Sequence, residues 1–306
     1  MTFGTFNKSK FTVFKWLYAY FLKIIIYPSI WVAAAIASLG IFTQEVLQLE
    51  HNWQAILLIF VTALIPYNLD RIFDSYVQKI PDSNAQMFFR QPYIWLLLLT
   101  AMVATAILLY YAPLKVKYLS IAGIIPLLYG TPLFPRKKES QWQWYRLKDI
   151  PGSKAWIVGS VLTYATIALP LGYADAKFNT VAALTTLFMF VFIVTNSHVF
   201  DIRDLDSDRE KGVITLPIMA GVSGTKIILS LMNILMLSIV VGAWLKEILP
   251  FYPEIIIATV VNLIYIWQIE VNTPRWVYNI VIEGFLFVPA LSNWLKEIIF
   301  NRATFL

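Results

Sequence analysis

Apolar runs long enough to cross a bilayer recur from one end of this chain to the other, and nothing else constrains its fold as strongly. A helical span needs about 20 predominantly apolar residues. Candidate spans fall at roughly 22–43, 54–74, 93–112, 117–134, 155–173, 180–200, 225–245, 251–270 and 275–295. In hydrocarbon every backbone polar group must be paired within the protein, so runs of this length read as helices. The expectation is an all-α, polytopic membrane bundle of about nine transmembrane helices around a central cavity. Composition agrees, with 59% hydrophobic residues and only 14% charged, where a soluble domain is roughly half apolar and a quarter charged. The absence of cysteine excludes disulfides, thiolate metal sites and cysteine nucleophiles.

The net charge of +6 could serve nucleic acid, but the lysines and arginines cluster in the connections between spans. Membrane topology accounts for them better, and no nucleic-acid partner is expected. With the N-terminus inside, one set of connections carries almost no bases apart from Lys115 and Lys117. The other set carries Arg71, Lys79 and Arg90, then Arg136 through Lys154, then Arg203, Arg209, Lys211 and Lys226. Cationic connections stay in the cytoplasm. The segment 1–20 is aromatic, contains Lys8, Lys10 and Lys15, and lacks a small-residue cleavage site. It reads as an amphipathic lead-in rather than a signal peptide. The polar stretch 135–154, with Trp142, Trp144 and Tyr145, reads as an anchor at headgroup level.

Two acid clusters lie at the ends of apolar runs on that cytoplasmic side: Asn68-Leu69-Asp70-Arg71-Ile72-Phe73-Asp74, and the segment from Asp201 to Gly212. Carboxylates beside hydrocarbon are costly unless paired, hydrogen-bonded or metal-bound. Asp70 and Asp74 are four residues apart, as are Asp204 and Asp208, a spacing that stacks both members on one helix face. Asp201 precedes Asp204 by three residues on the same face. Two such faces opposed across a cavity would supply hard oxygen ligands, which suit Mg²⁺ completed by water and phosphate. The interleaved Arg71, Arg203, Arg209 and Lys211 could neutralise phosphate oxygens. The competing reading is that acids and bases simply pair as solvated helix ends. Because the second and sixth spans each end in such a cluster, a single domain over 1–306 divides into loosely repeated halves, roughly 22–134 and 155–295. An internal repeat of this kind would bring both clusters to one pocket.

The run from Asp201 to Pro217 contains D-x-x-D-x-x-x-D-R-x-x-G-x-x-T-L-P in full. It resembles the second aspartate motif of the UbiA superfamily of intramembrane prenyltransferases, and Asp70-Arg71-Ile72-Phe73-Asp74 resembles the core of the first. Two positions depart from the family pattern. Pro66 stands where the first motif usually carries Asn, the nearest being Asn68, and Tyr129 is followed four residues later by Leu133 rather than Lys. A divergent UbiA-like branch is the expectation.

The resemblance implies a transferase of prenyl groups that uses Mg²⁺ to ionise an allylic polyprenyl diphosphate, passing the isoprenyl group to a lipophilic, aromatic acceptor within the lipid bilayer. Metal and cationic side chains would stabilise the leaving diphosphate, where negative charge develops. The residues implied are Asp70, Asp74, Asp204 and Asp208 as the catalytic core, with Asp201 completing the metal set and Asn68 as a displaced ligand. Arg71, Arg209 and Lys211 would contact diphosphate, and Lys148 and Lys154 could close over it from their loop. His198, one turn before the second cluster, and Glu283, inside the ninth span, are possible auxiliary residues. A related enzymatic reading is a membrane terpene cyclase, in which the substrate's own double bonds capture the cation. A reading from another class is a proton- or ion-coupled transporter.

Overall fold

The computed structural model describes residues 15–77, 83–127, 134–138, 141–145, 150–210 and 212–303. In chain order the helices are α1 Lys15–Ile26, α2 Ile30–Val46, α3 Trp53–Val77, α4 Ser83–Phe89, α5 Pro92–Tyr111 and α6 Leu114–Leu127. Strands β1 Phe134–Lys138 and β2 Gln141–Tyr145 follow, and then α7 Ser153–Tyr173, α8 Thr180–Arg203, α9 Leu205–Glu210, α10 Leu216–Leu245 and α11 Pro253–Gln268. The last segment begins as a π-helical turn, Val277–Ile282, tightens to 3₁₀ over Phe285–Phe287 and continues as α12, Val288–Ala303.

Five of these helices are long and apolar enough to cross a membrane, or six if α1 and α2 count as one bent span. The all-α bundle therefore stands, while length and composition support fewer spans than nine among the described residues. Three expected spans are changed in detail. The first is broken: α1 and α2 meet at 57°, because Pro28 offers no N–H to a continuing helix and Ser29 turns left-handed at φ 61°. The fourth cannot extend to 134, since Phe134 opens a strand that pairs with Tyr145. The alternation in Gln141-Trp142-Gln143-Trp144 has the period of a strand, so part of the expected polar loop is an antiparallel hairpin. The seventh starts earlier, at Leu216, with a break at Gly221, φ 73°.

The core lies where α2, α3, α7 and α8 pack together, with α10, α11 and α12 completing it. Close approach depends on small residues, as expected where packing rather than water expulsion drives association. Gly159 of α7 faces α8 so closely that a Cβ there would lie 3.2 Å from Val194 Cα. Gly284 sits under the Trp31 ring, where a Cβ would approach to 3.2 Å, and Trp31 Nε1 donates to Ile280 O at 2.9 Å. That seam joins α2 to the irregular start of the last segment. Some buried hydroxyls are satisfied within their own helix: Thr43 donates to Leu39 O at 3.1 Å and Thr259 to Ile255 O at 2.7 Å, a bond that spares the hydroxyl a partner from water. Outward faces are apolar. Leu96, Leu99 and Ile107 of α5 and Leu231 and Leu235 of α10 are exposed, a surface suited to lipid.

Candidate active site

Both acid clusters lie at one end of the bundle, and their surroundings differ. The second is assembled at a break between helices. Asp204 ends α8, with φ −93° and ψ 8°, and the chain restarts as the short helix α9. Asp204 and Asp208 therefore do not stack along a continuous helix as their spacing suggested. Instead, Asp201 from α8 and Asp208 from α9 converge on Lys154 at the start of α7. The Lys154 ammonium lies 3.3 Å from Asp201 Oδ1, and it donates to Asp208 Oδ2 at 3.3 Å. Asp201 and Asp208 are 2% and 5% exposed, so this is a buried pair of carboxylates sharing one cation.

Backbone geometry brings the lysine there. Gly152, at φ 74°, turns the chain into α7, a conformation that glycine adopts without steric cost. Its N–H donates to Ile214 O at 2.6 Å, tying the start of α7 to the loop behind α9.

Asp204 is held differently. Arg203 donates to both its oxygens, at 2.8 and 2.7 Å. The guanidinium lies over the Phe200 ring at 4.7 Å and within 5.7 Å of the Tyr278 ring, and its third nitrogen donates to Asn279 Oδ1 at 3.4 Å. Burial alone would raise the Asp204 carboxyl, but the Arg203 hydrogen bonds and charge outweigh it and hold the group below the usual range. Asp208 moves the other way. Burial raises it, and repulsion from Asp201 adds to that against the attraction of Lys154. His198 is fully buried, with its ring edge against Trp156 at a centroid distance of 5.1 Å. Its Nδ1 lies 3.3 Å from Asp201 Oδ2, off the hydrogen-bond direction, and neither ring nitrogen has a hydrogen-bonding partner among the described residues.

The first cluster lies on α3, beside the α1–α2 break. Asn68 donates to Pro28 O at 2.9 Å and Leu64 O at 2.8 Å, with Ser29 Oγ 3.5 Å from its own oxygen. Arg71 donates to Ile26 O at 3.0 Å. Two residues of the motif thus donate to carbonyls at the break, Asn68 to Pro28 O and Arg71 to Ile26 O, which also accepts from Ser29 N–H. Arg71 also pairs with Glu283 at 3.4 Å, and Glu283 acts in turn on Arg203. A chain of charge, Arg71–Glu283–Arg203–Asp204, connects the two clusters.

Residues 69–276, well over half of the chain, match the UbiA prenyltransferase family. The chain belongs to that family. Among curated proteins there is no sequence match. The fold is similar to a UbiA homologue from Archaeoglobus fulgidus described as bound to GPP and Mg²⁺, with a TM-score of 0.59, 11% identity, and coverage of 89% of this chain and 98% of that one. An apo UbiA homologue from Aeropyrum pernix K1 superposes with a TM-score of 0.57 at 12% identity, covering 88% and 98%. A structure concerned with digeranylgeranylglyceryl phosphate synthase gives 0.55 at 14% identity, covering 90% and 98%. This protein is an integral membrane prenyltransferase of the UbiA family, which sets the transporter reading aside.

Within that frame the sequence-derived residues divide. Asp201, Asp204, Asp208 and Lys154 come together, and His198 stands beside them. Asp70 is exposed at the same end, while the Asp74 side chain, Lys148 and Lys211 lie outside the described residues. Asn68 is spent on packing contacts, with both amide hydrogens directed at backbone carbonyls. Arg209 is 65% exposed and lies 3.7 Å from Asp206. Among the described residues no three acid or histidine side chains form a ready cage for a metal, since Lys154 and Arg203 occupy the acids. Arg275, whose charge acts on both Asp204 and Arg203, escaped the sequence reading. So did Asn279. Neither belongs to a motif, and only the fold of the last segment carries them to Asp204.

A cavity of about 430 Å³ lies at the far end of the bundle, lined by Gln44, Gln48, Tyr252, Asn293 and Lys296 among others. Two of its polar groups are engaged by neighbouring residues: Lys296 donates to Glu254 at 2.8 Å and Tyr252 to Val46 O at 3.0 Å. It is remote from the two aspartate motifs, and the Tyr252 bond ties it to the end of α2.

Proposed function

We propose that this UbiA-family chain uses Mg²⁺ to ionise an allylic isoprenyl diphosphate and transfers the prenyl group to a lipophilic acceptor, with the site at the cytoplasmic end of the bundle. The observation that carries this reading is the buried Asp201–Asp208 pair closing on a single cation from two helices. Hard carboxylate oxygens at such a point fit Mg²⁺, which keeps several waters and takes its remaining ligands from phosphate. Asp201, Asp208 and Asp204 would hold metal from the second motif, Asp70 and Asp74 from the first. The metal would supply charge at the oxygens of the leaving diphosphate. Arg203, Arg71 and Lys154 stand at the same end as fixed or movable cations, where negative charge develops as the carbon–oxygen bond breaks. Trp156, edge-on to His198, and Tyr278, beside the Arg203 guanidinium, bring aromatic rings near the acids, the kind of surface that steadies an allylic cation. The apolar bundle would accommodate the hydrocarbon tail, and the cationic connections at this end support a cytoplasmic orientation.

The decisive experiment incubates purified protein with Mg²⁺, isoprenyl diphosphates of graded length and a panel of lipophilic acceptors, reading products by mass. Wild-type protein is expected to release diphosphate and form an acceptor adduct. The Asp204→Ala/Asp208→Ala double variant is expected to stay folded and lose at least about a hundredfold in rate, the scale of a lost electrostatic contribution in the transition state. Full activity in that variant would sink the metal-site assignment. Diphosphate release with rearranged hydrocarbon and no adduct would make the chain a cyclase.

A further inference from the structure

Neither aspartate motif accounts for the position of Lys154. Its ammonium lies at the same distance, 3.3 Å, from Asp201 Oδ1 and Asp208 Oδ2. The two acid side chains are 3% and 7% exposed, against 34% for the lysine. Two carboxylates brought this close with little access to water repel one another and demand a cation. The lysine meets that demand from a third helix. Its charge is on a flexible four-carbon stem, and its partial exposure leaves it a way out. Arg203, by contrast, is clasped to Asp204 by two short hydrogen bonds and covered by aromatic rings.

We propose that Lys154 is a place-holder for the divalent metal: in the metal-free protein its ammonium occupies the position between Asp201 and Asp208, and when metal enters it leaves them for the diphosphate. This deepens the proposed function and rests on it. Metal arriving alone must displace the lysine and leave it without a partner. Metal arriving with diphosphate releases an ammonium that immediately finds phosphate oxygens. The side chain therefore weakens the binding of metal alone and strengthens the binding of metal with diphosphate, a reciprocal coupling between the two ligands. A lysine that merely anchored the loop would do neither, and a simple phosphate contact would do only the second.

Calorimetric titration of Mg²⁺ into the full-length protein in detergent, with and without inorganic pyrophosphate, separates these cases. Lys154→Met and Lys154→Gln are expected to bind Mg²⁺ alone about tenfold more tightly than wild type, having lost a competing cation, and to lose most of the enhancement by pyrophosphate. Lys154→Arg, which keeps the cation, is expected to bind Mg²⁺ alone no more tightly than wild type. Neutral variants that bind Mg²⁺ alone no better than wild type overturn the inference. A second readout needs no variant: acylation of Lys154 in the wild-type protein, followed by peptide mass analysis. Mg²⁺ alone is expected to speed acylation severalfold, and Mg²⁺ with pyrophosphate to slow it again. A rate unchanged by saturating Mg²⁺ also overturns the inference. Wild-type protein that binds no Mg²⁺, with or without pyrophosphate, overturns the proposed function itself, so the two failures are distinct.

Discussion

Asp204 and Asp208 share a motif, and the fold gives them opposite electrostatics. Asp204, held below the usual range by Arg203 despite its burial, favours the folded state in its charged form. That contribution is complete above the ordinary carboxylate range and disappears as pH falls through the lowered value. Asp208, raised mainly by burial, has the reverse sign: its contribution is present in acid and is lost as pH climbs through the raised value. Conservative amides should therefore diverge. In metal-free protein at neutral pH, Asp204→Asn is expected to lower the midpoint of thermal denaturation, by roughly 1–3 kcal/mol of stability. Asp208→Asn is expected to leave the midpoint unchanged or raise it. Thermal scans of both variants in a chelator check this, and a fall of similar size in each would contradict it. Under the proposed metal site, Mg²⁺ affinity is also expected to fall as pH drops through the titration of Asp208, since a metal binds a carboxylate and not the acid. Asp208→Asn should flatten that dependence in a calorimetric pH series.

At the scale of the element, the site depends on how closely α7 and α8 approach, because Lys154 rides on one and Asp201 on the other. Gly159 sets that spacing against Val194, which is fully buried. A methyl group at Gly159 should force the helices apart and cost about 1–3 kcal/mol, the usual range for overpacking. The Gly159→Ala variant is expected to denature earlier than wild type, and adding Val194→Ala should recover much of the loss by removing the opposing methyls. A double variant no better than the single one would show that the crowding lies elsewhere. Breaks matter as much as helices. Asn68 and Arg71 brace the left-handed turn at Ser29 by donating to Pro28 O and Ile26 O, which is why an asparagine beside an aspartate motif can be structural. The break at Asp204 turns a stacked pair of acids into two separate partnerships, one with Arg203 and one with Lys154.

At the scale of the whole molecule, the Arg71–Glu283 pair joins the first half of the chain to the last segment. Removing Glu283 leaves Arg71 without its partner in a largely buried position, and truncating one member of such a pair is costly. Glu283→Ala is expected to destabilise the protein by about 2 kcal/mol or more, with Glu283→Gln milder because an amide oxygen can still accept from Arg71. Thermal inactivation in detergent compares the two. Orientation is equally testable in a chain with no cysteine, since any introduced thiol is unique. In sealed right-side-out vesicles, Lys177→Cys is expected to react with an impermeant maleimide, and Glu210→Cys only after permeabilisation. The reverse pattern would invert the proposed topology. Both positions are exposed, so access rather than burial decides the outcome.

Much of this was legible in the order of residues. Apolar runs dictate helices because hydrocarbon tolerates no unpaired backbone, and the segment from Asp201 to Pro217 carries enough spaced chemistry to point to its family. What the linear order could not disclose is who partners whom. Spacing places Asp204 and Asp208 on one face only if the helix continues, and the chain breaks there. Lys154 lies 47 residues before Asp201 by sequence number, and Glu283 is 212 residues from Arg71. Those distances collapse only when α7 packs on α8 and the last segment folds back against α2 and α3. Periodicity and motif are local properties, so the sequence determined the helices, the membrane and the family. The pairing of buried charges is long-range, and tertiary structure alone decided which cation each aspartate meets.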